Sequence, residues 1–162
     1  MIISVGDVLP EISFSHIADG NLETISLKTL TRGTKLVLFG LPGAFTQTCS
    51  ALHLPGFIYA AQALRAKGVD HVICMSVNDP FVMKAWDDAQ GASLAGLMML
   101  ADGDSSATKA LGLEFSAPEI GFVNRCKRFS AYVDDGVVKV MNFETKPGVC
   151  EFTSGETLLA QI

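Results

Sequence analysis

The sequence predicts an α/β fold in which a central mixed sheet is flanked by helices and carries an added hairpin near each end of the chain. In the middle of the chain, short apolar runs alternate with stretches of helical periodicity, which is typical of parallel strand–helix–strand units. Alternating polar and apolar residues on both sides of Asp19-Gly20 and of Asp135-Gly136 indicate the two hairpins.

The first half of the chain contains the first hairpin and the first parallel unit. Residues 12–17 and 21–27 are predicted to be the strands of the hairpin. The apolar run at 35–41 predicts a strand that is buried on both faces. Over residues 48–67 apolar side chains recur every three or four positions, which predicts an amphipathic helix.

The second half repeats the pattern and ends with the second hairpin. In chain order we predict a strand over 69–77, a helix after Asn78-Asp79-Pro80, a strand over 97–101, a helix from Asp104 or Ser105 to Leu111, the hairpin 128–144 and a helix over 154–161. These elements together describe an elaborated thioredoxin-like architecture. We expect residues 1–162 to form one domain.

Composition argues against several classes of protein. Hydrophobic residues make up 49% of the chain, which is too many for a disordered protein, yet no apolar run approaches the roughly 20 residues of a membrane span. The net charge of -5 and the lack of a basic stripe argue against a nucleic-acid partner. The N-terminal segment resembles neither a secretory signal nor a transit peptide, so we expect an intracellular protein, with the cytoplasm as the first expectation and an organelle as the alternative.

Cys49 follows a Pro42-Gly43 turn at the point where the helix over 48–67 is predicted to begin. Free N–H groups and the positive end of the helix dipole favour an anion such as a thiolate. The dipole contributes about 2 kcal/mol at most, which moves the pKa of a thiol by little more than one unit. A neighbouring cation is therefore needed, and we expect an arginine to fold back onto the site.

Other roles for Cys49 have less support. A free cysteine is most often a small apolar filler of the core. Thr46 and Leu52 occupy the positions three before and three after it, so there is no CxxC motif for dithiol exchange. His53 lies four residues on, but a Cys-His hydrolase dyad would need a third, orienting group. The close paired ligands of a zinc module are absent, so no metal site is predicted.

The segment LPGAFTQTCSALHLPGF resembles the active-site segment of the peroxiredoxins, in particular of the type II, or atypical two-cysteine, subgroup. The likeness extends to VGDVLP, VICMSVNDPFVMKAW, LADG, RCKRF and VDDGVVKV, and so covers nearly the whole chain. It implies a decorated thioredoxin fold and a thiol-dependent peroxidase. Such an enzyme reduces hydrogen peroxide and alkyl hydroperoxides and needs no metal or bound organic cofactor.

The resemblance also assigns roles to residues. Cys49 corresponds to the peroxidatic cysteine, Thr46 to the residue that orients the peroxide, and Pro42 to a shielding proline. The expected cation corresponds to Arg125, which opens the RCKRF run. The backbone N–H groups of Thr48 and Cys49 would hold the peroxide oxygens.

The resemblance leaves open how the oxidised thiol is reduced. Cys74 lies where type II enzymes similar to those of plants carry a resolving cysteine, and it is the first candidate. Cys150 is a second candidate near the C-terminus, whereas Cys126 is taken as incidental. Direct reduction by glutathione, glutaredoxin or thioredoxin is the alternative.

Three further expectations concern assembly, rate and role. The resemblance implies a homodimer with a contact near Phe45 and the loop around Phe81. Gln47 stands where the family usually has proline, so we expect a somewhat slower enzyme. The competing functions are a non-enzymatic redox sensor that relays its oxidation to a partner protein and a thioredoxin-fold interaction module with an inert, packed Cys49.

Overall fold

The computed structural model describes residues 1–162 and confirms the predicted α/β fold. The strands are β1 (Ser13–Ala18), β2 (Asn21–Ser26), β3 (Lys35–Gly40), β4 (His71–Ser76), β5 (Leu97–Ala101), β6 (Glu114–Ala117), β7 (Phe122–Cys126), β8 (Phe129–Asp134) and β9 (Val137–Phe143). The helices are α1 (Leu27–Thr31), α2 (Leu54–Ala66), α3 (Pro80–Gln90), α4 (Ser106–Ala110) and α5 (Gly155–Gln161). A π-helical turn, Cys49–His53, leads directly into α2.

Seven strands form one mixed sheet in the order β2-β1-β5-β4-β3-β8-β9. Strands β3, β4 and β5 are parallel and occupy the centre, as the alternation of apolar runs and helices predicts. The antiparallel hairpins β1–β2 and β8–β9 extend the sheet on its two sides. Strands β6 and β7 form a separate two-stranded ribbon.

The core is divided by the sheet into two layers. Successive side chains of a strand point to opposite faces, so Val37 and Phe39 of β3 enter one layer while Leu36 and Leu38 enter the other. Helices α2, α3 and α5 cover the first layer, and α1 and α4 contribute to the second. Cys49 and Cys74 both belong to the first layer.

Two features differ from the sequence-based expectation. The strand predicted over 21–27 ends at Ser26, because Leu27 begins the short helix α1 that periodicity did not reveal in five residues. The β6–β7 ribbon was also missed, since Pro118 and Gly121 punctuate a stretch too short to show alternation. No helix in the structure combines the length and the apolar character that a membrane crossing requires.

Candidate active site

The site forms at the carboxyl ends of β3 and β4. These strands are parallel, so the loops that follow them meet at the same edge of the sheet. Asn78, just after β4, accepts hydrogen bonds through Oδ1 from the Ala44 backbone N–H at 2.9 Å and from the Ser76 hydroxyl at 2.6 Å. The loop that leads from β3 to Cys49 is thereby attached to the end of β4.

Cys49 is the first residue of the π-helical turn and is 1% exposed. The Leu54 N–H donates to the Cys49 carbonyl, a bond five residues back along the chain. Pro55, in the first turn of α2, has no N–H and its ring conflicts with the carbonyl of Ala51, four residues back in a regular helix. The wider π turn relieves that conflict, and such turns occur frequently at functional sites.

The cation beside the thiol is Arg128, not Arg125 as the sequence-based assignment expected. The Nη2 group of Arg128 donates to Cys49 Sγ at 3.2 Å, and the arginine is only 8% exposed. It lies between the end of β7 and the start of β8. An arginine therefore lies beside the thiol, and it is Arg128 that makes this contact.

Arg125 occupies a different place at the same site. Its Nη1 group donates to the Pro42 carbonyl at 2.9 Å. Its guanidinium carbon lies 5.0 Å from the centre of the Phe122 ring. Arg125 thus donates a hydrogen bond to the turn that precedes the thiol and not to Cys49 Sγ.

His53 is fully buried behind Arg128. The Arg128 Nη1 group lies 2.9 Å from His53 Nδ1, and His53 Nε2 lies 3.1 Å from the Thr153 carbonyl. Arginine can only donate, so Nδ1 must accept and Nε2 carries the proton that is donated to Thr153. Burial, followed by the charge of Arg128, lowers the pKa of His53 to about 3, against a smaller opposing effect of the Thr153 bond. The imidazole is therefore neutral at physiological pH.

Two threonines connect the thiol segment to its surroundings. The Thr46 hydroxyl donates to the Gly43 carbonyl at 2.7 Å, and the Thr46 carbonyl accepts from the Ser50 N–H at 3.0 Å. The Thr48 hydroxyl donates to the Gly148 carbonyl at 2.8 Å, which joins the thiol segment to the loop that carries Cys150.

The other three cysteines lie in different environments. Cys74 is fully buried in β4, and burial, with further contributions from Cys49 and Cys126, raises the pKa of its thiol well above the usual range. Cys126 lies in the opposite core layer, where burial raises its thiol pKa to about 12. Cys150 is half-buried in the loop after β9, with Sγ 3.9 Å from the Thr153 hydroxyl, and burial raises its thiol pKa as well.

No group of three or more His, Cys, Asp or Glu side chains in the structure is arranged to hold a metal ion. The site consists of one thiol beside a buried arginine at the start of a helix. On a thioredoxin-like fold, this arrangement defines a thiol-based redox protein.

Comparison with known proteins narrows that class. The Redoxin family matches residues 4–159. Peroxiredoxin-2E-2, chloroplastic, of Oryza sativa subsp. japonica is 47% identical over 161 residues, which is 97% of this chain and 71% of the relative. Peroxiredoxin-2B of Arabidopsis thaliana is 46% identical over 144 residues, 88% of each chain. The crystal structure of reduced Prx3 from Vibrio vulnificus in complex with hydrogen peroxide is 45% identical, covers 99% of each chain and superposes with a TM-score of 0.92.

The chain belongs to the redoxin family and, within it, to the type II peroxiredoxins. It is a thiol-dependent peroxidase that acts on peroxides at the expense of a thiol reductant. The comparisons do not favour the alternative of a non-enzymatic redox sensor.

Sequence reasoning missed the positions of Arg128 and His53 in the site. The only signal for Arg128 was its place three residues after Arg125 in the same RCKRF run. For His53, nothing local to HLPGF indicates that its ring meets an arginine 75 residues further along the chain.

Proposed function

We propose that Cys49 is the peroxidatic nucleophile and that Arg128 is its cationic partner. The observation that carries this proposal is the 3.2 Å hydrogen bond from Arg128 Nη2 to Cys49 Sγ in a site from which water is largely excluded. A permanently charged donor at this distance favours the thiolate, which is the reactive form of a cysteine.

The reaction transfers one oxygen from the peroxide to sulfur. The Cys49 thiolate attacks the terminal oxygen, the S–O bond forms as the O–O bond breaks, and Cys49 becomes a sulfenic acid. The leaving alkoxide or hydroxide takes a proton from solvent and departs as alcohol or water. Arg128, which can only donate hydrogen bonds, stabilises the negative charge as it moves from sulfur to the leaving oxygen.

Thr46 and the backbone orient the peroxide. The Thr46 hydroxyl already donates to the Gly43 carbonyl, so it offers a lone pair that can accept from the O–H of the peroxide. The N–H groups of Thr48 and Cys49 lie in the first turn of the helix, where they have no intrahelical partner and can donate to the peroxide oxygens. Pro42 borders this space without adding a competing N–H donor.

Cys74 is the first candidate to resolve the sulfenic acid. It shares the α2 side of the core with Cys49, whereas Cys126 lies in the opposite layer. Both thiols are buried, so a disulfide requires the π turn to unwind and bring the Cα atoms to about 4.4 to 6.8 Å. Cys150 is the second candidate, because its loop is hydrogen-bonded to Thr48.

The partners and setting extend the same proposal. Hydrogen peroxide and alkyl hydroperoxides are the expected substrates, and a relative solved with hydrogen peroxide supports the first. Glutaredoxin with glutathione, or thioredoxin, is the expected reductant. We also propose that residues 1–162 form one domain. The proposed location is inside the cell, and relatives with chloroplastic and mitochondrial names support it.

The deciding experiment is intact mass spectrometry after one equivalent of hydrogen peroxide, on wild type and on Cys74→Ser and Cys150→Ser. Wild type should lose two hydrogens, and Cys74→Ser should instead gain one oxygen at Cys49. Cys150→Ser is the matched control and should behave as wild type.

Other outcomes of this experiment would change the assignment of the resolving thiol or of the nucleophile. Trapping in Cys150→Ser and not in Cys74→Ser would transfer the resolving role to Cys150. A sulfenic acid in all three proteins would show that an external thiol resolves Cys49, and turnover with each reductant would identify which. No oxidation at Cys49 in wild type would refute its assignment as the nucleophile.

A further inference from the structure

The β6–β7 ribbon contains an irregularity close to the site. Phe115 of β6 pairs with Arg125 of β7, and Ala117 pairs with Phe122. Two steps along β6 are therefore matched by three steps along β7, so β7 holds one extra residue. This is a β-bulge, a feature that occurs often next to active sites and redirects side chains.

Asn124 has the left-handed backbone conformation of this bulge. Its φ of 50° lies in a region where residues other than glycine are uncommon, asparagine being among those that adopt it most readily. The Ser116 hydroxyl of the neighbouring strand accepts the Asn124 N–H at 2.9 Å and so holds this conformation. An observed outlier of this kind, held by a specific partner beside a functional site, suggests that the geometry itself is used.

The bulge decides where Arg125 points. In a regular strand, residues three apart lie on opposite faces. Here Phe122 and Arg125 are three apart, yet the guanidinium carbon lies 5.0 Å from the centre of the Phe122 ring. The extra residue has placed both side chains on one face, and the ring supports the cation there.

Arg125 also contacts the turn that precedes the thiol. Its Nη1 group donates to the Pro42 carbonyl at 2.9 Å. A Cβ at Gly43 would overlap that same Nη1 and would lie 3.2 Å from Thr46 Cγ2. Gly43 is thus enclosed between the guanidinium and Thr46, and its carbonyl accepts the Thr46 hydroxyl.

We propose that Arg125 is a positioning residue that clamps the Pro42-Gly43 turn and thereby places the Thr46 hydroxyl for the peroxide. Arg128 provides the positive charge beside the sulfur, and Arg125 fixes the position of the turn. The inference rests on the proposed roles of Cys49 and Thr46. It assigns to two arginines the functions that were expected of a single cation beside the thiol.

The test is Arg125→Met, with Lys127→Met as a control that removes an equal charge from a nearby exposed side chain. Three quantities are measured: the rate of Cys49 alkylation by iodoacetamide across pH, the second-order rate constant with hydrogen peroxide, and amide exchange over residues 43–46. Alkylation needs the thiolate but no oriented peroxide, so it separates charge from positioning.

In Arg125→Met we expect the alkylation profile to match wild type within about twofold. The rate constant with peroxide should fall by roughly ten- to a hundredfold, because misplacement of about 1 Å has consequences of that size. Amide exchange at 43–46 should become faster. Lys127→Met should leave all three quantities as in wild type.

Gly43→Ala is a second variant, which alters the turn itself instead of the arginine that contacts it. Its methyl group should displace the guanidinium and lower the peroxide rate while leaving alkylation unchanged. If Arg125→Met does not fold, Gly43→Ala still tests whether the contact between Arg125 and the turn is needed for the reaction with peroxide.

Two outcomes would overturn the inference. One is a folded variant with a wild-type peroxide rate and unchanged exchange at 43–46. The other is a parallel loss of alkylation and peroxide reactivity, which would make Arg125 a charge partner of the thiol. If wild-type Cys49 did not react with peroxide at all, the proposed function would fail, and the exchange measurement alone would still decide whether Arg125 clamps the turn.

Discussion

At the scale of single residues, the site depends on a buried arginine held between sulfur and a neutral histidine. Arg128 donates through Nη2 to Cys49 Sγ and through Nη1 to His53 Nδ1. His53 in turn donates to the Thr153 carbonyl, so the guanidinium is fixed on the side away from the thiol as well. A fixed donor needs no reorganisation when charge moves during the reaction.

Removal of the charge at Arg128 should affect every reaction of the thiol. In Arg128→Met we expect Cys49 to be alkylated more slowly than in wild type, because the cation that favours the reactive thiolate is gone. The peroxide rate constant should fall by roughly a hundred- to a thousandfold, the size of the loss of one donor to developing charge. Stopped-flow kinetics and the pH profile of alkylation measure both, and a profile equal to that of wild type would contradict the assignment of Arg128.

His53 should make stability depend on pH. Its pKa is about 3 in the folded protein against 6.5 as the ordinary value, so between these limits the unfolded chain binds a proton that the folded protein excludes. The free energy of unfolding contributed by this group is therefore full above pH 6.5 and is lost as the pH falls, by at most about 2 kcal/mol between pH 7 and 5.

Urea unfolding at pH 7 and pH 5 measures this effect. His53→Gln should flatten the difference between the two pH values, whereas His71→Gln, at the start of β4, should retain it. An equal pH dependence in wild type and His53→Gln would show that His53 does not titrate on unfolding.

At the scale of elements, the π turn Cys49–His53 is the part of the site that the proposed Cys49–Cys74 disulfide requires to move. It precedes Pro55, which cannot donate to the Ala51 carbonyl, and Gly56, which is a poor helix former. The Trp86 Nε1–H donates to the Ser50 hydroxyl at 3.0 Å and ties the turn to α3. The turn is thus held by a few specific bonds and not by a continuous helical ladder.

Weak attachment predicts faster local opening. Amide hydrogens at 49–54 should exchange faster than those at 58–64, which lie in the regular part of α2. Hydrogen exchange with mass spectrometry on the reduced protein measures this difference. Equal protection in both segments would argue against a turn that unwinds readily.

Trp86 is the single tryptophan of the chain, so tryptophan emission reports on the surroundings of this one side chain. If oxidation unwinds the turn, Trp86 loses its bond to Ser50 and its fluorescence should change on addition of one equivalent of peroxide. Ser50→Ala lacks the bond from the beginning and should show a smaller change. Emission that stays constant while Cys49 is oxidised would show that the turn keeps its place.

At the scale of the whole molecule, the edge of the sheet that carries the site also carries exposed aromatic side chains. Phe45 is 58% exposed and Phe81 is 66% exposed, and they follow β3 and β4 at the same edge. Exposed apolar side chains can form interaction surfaces. The position of these two agrees with the homodimer that the family resemblance implies, with its contact near the active site.

A charge at this edge should separate the dimer. In Phe81→Glu we expect light scattering to give the mass of a monomer where wild type gives that of a dimer, because an unpaired carboxylate would be buried in the contact. Leu94→Glu is the control, since Leu94 is 94% exposed but precedes β5 at the opposite edge of the sheet. A dimer that persists in Phe81→Glu would place the contact elsewhere.

Much of the fold could be predicted from local pattern. The parallel unit β3–α2–β4 follows from apolar runs and helical periodicity, and the β8–β9 hairpin follows from Asp135-Gly136 within an alternating stretch. The short helix α1 and the β6–β7 ribbon could not be predicted, because each has only four or five residues per element and therefore shows no reliable period.

The sequence by itself determined that a thiol stands at the start of a helix, that proline and glycine follow it, and that an arginine is needed nearby. Only the tertiary structure decided that this arginine is Arg128. Arg125, on the bulged strand β7, donates to the Pro42 carbonyl, whereas Arg128, after that strand, donates to Cys49 Sγ and contacts His53. Side-chain direction along a bulged strand is set by cross-strand bonds between distant residues, so a local pattern could not reveal it.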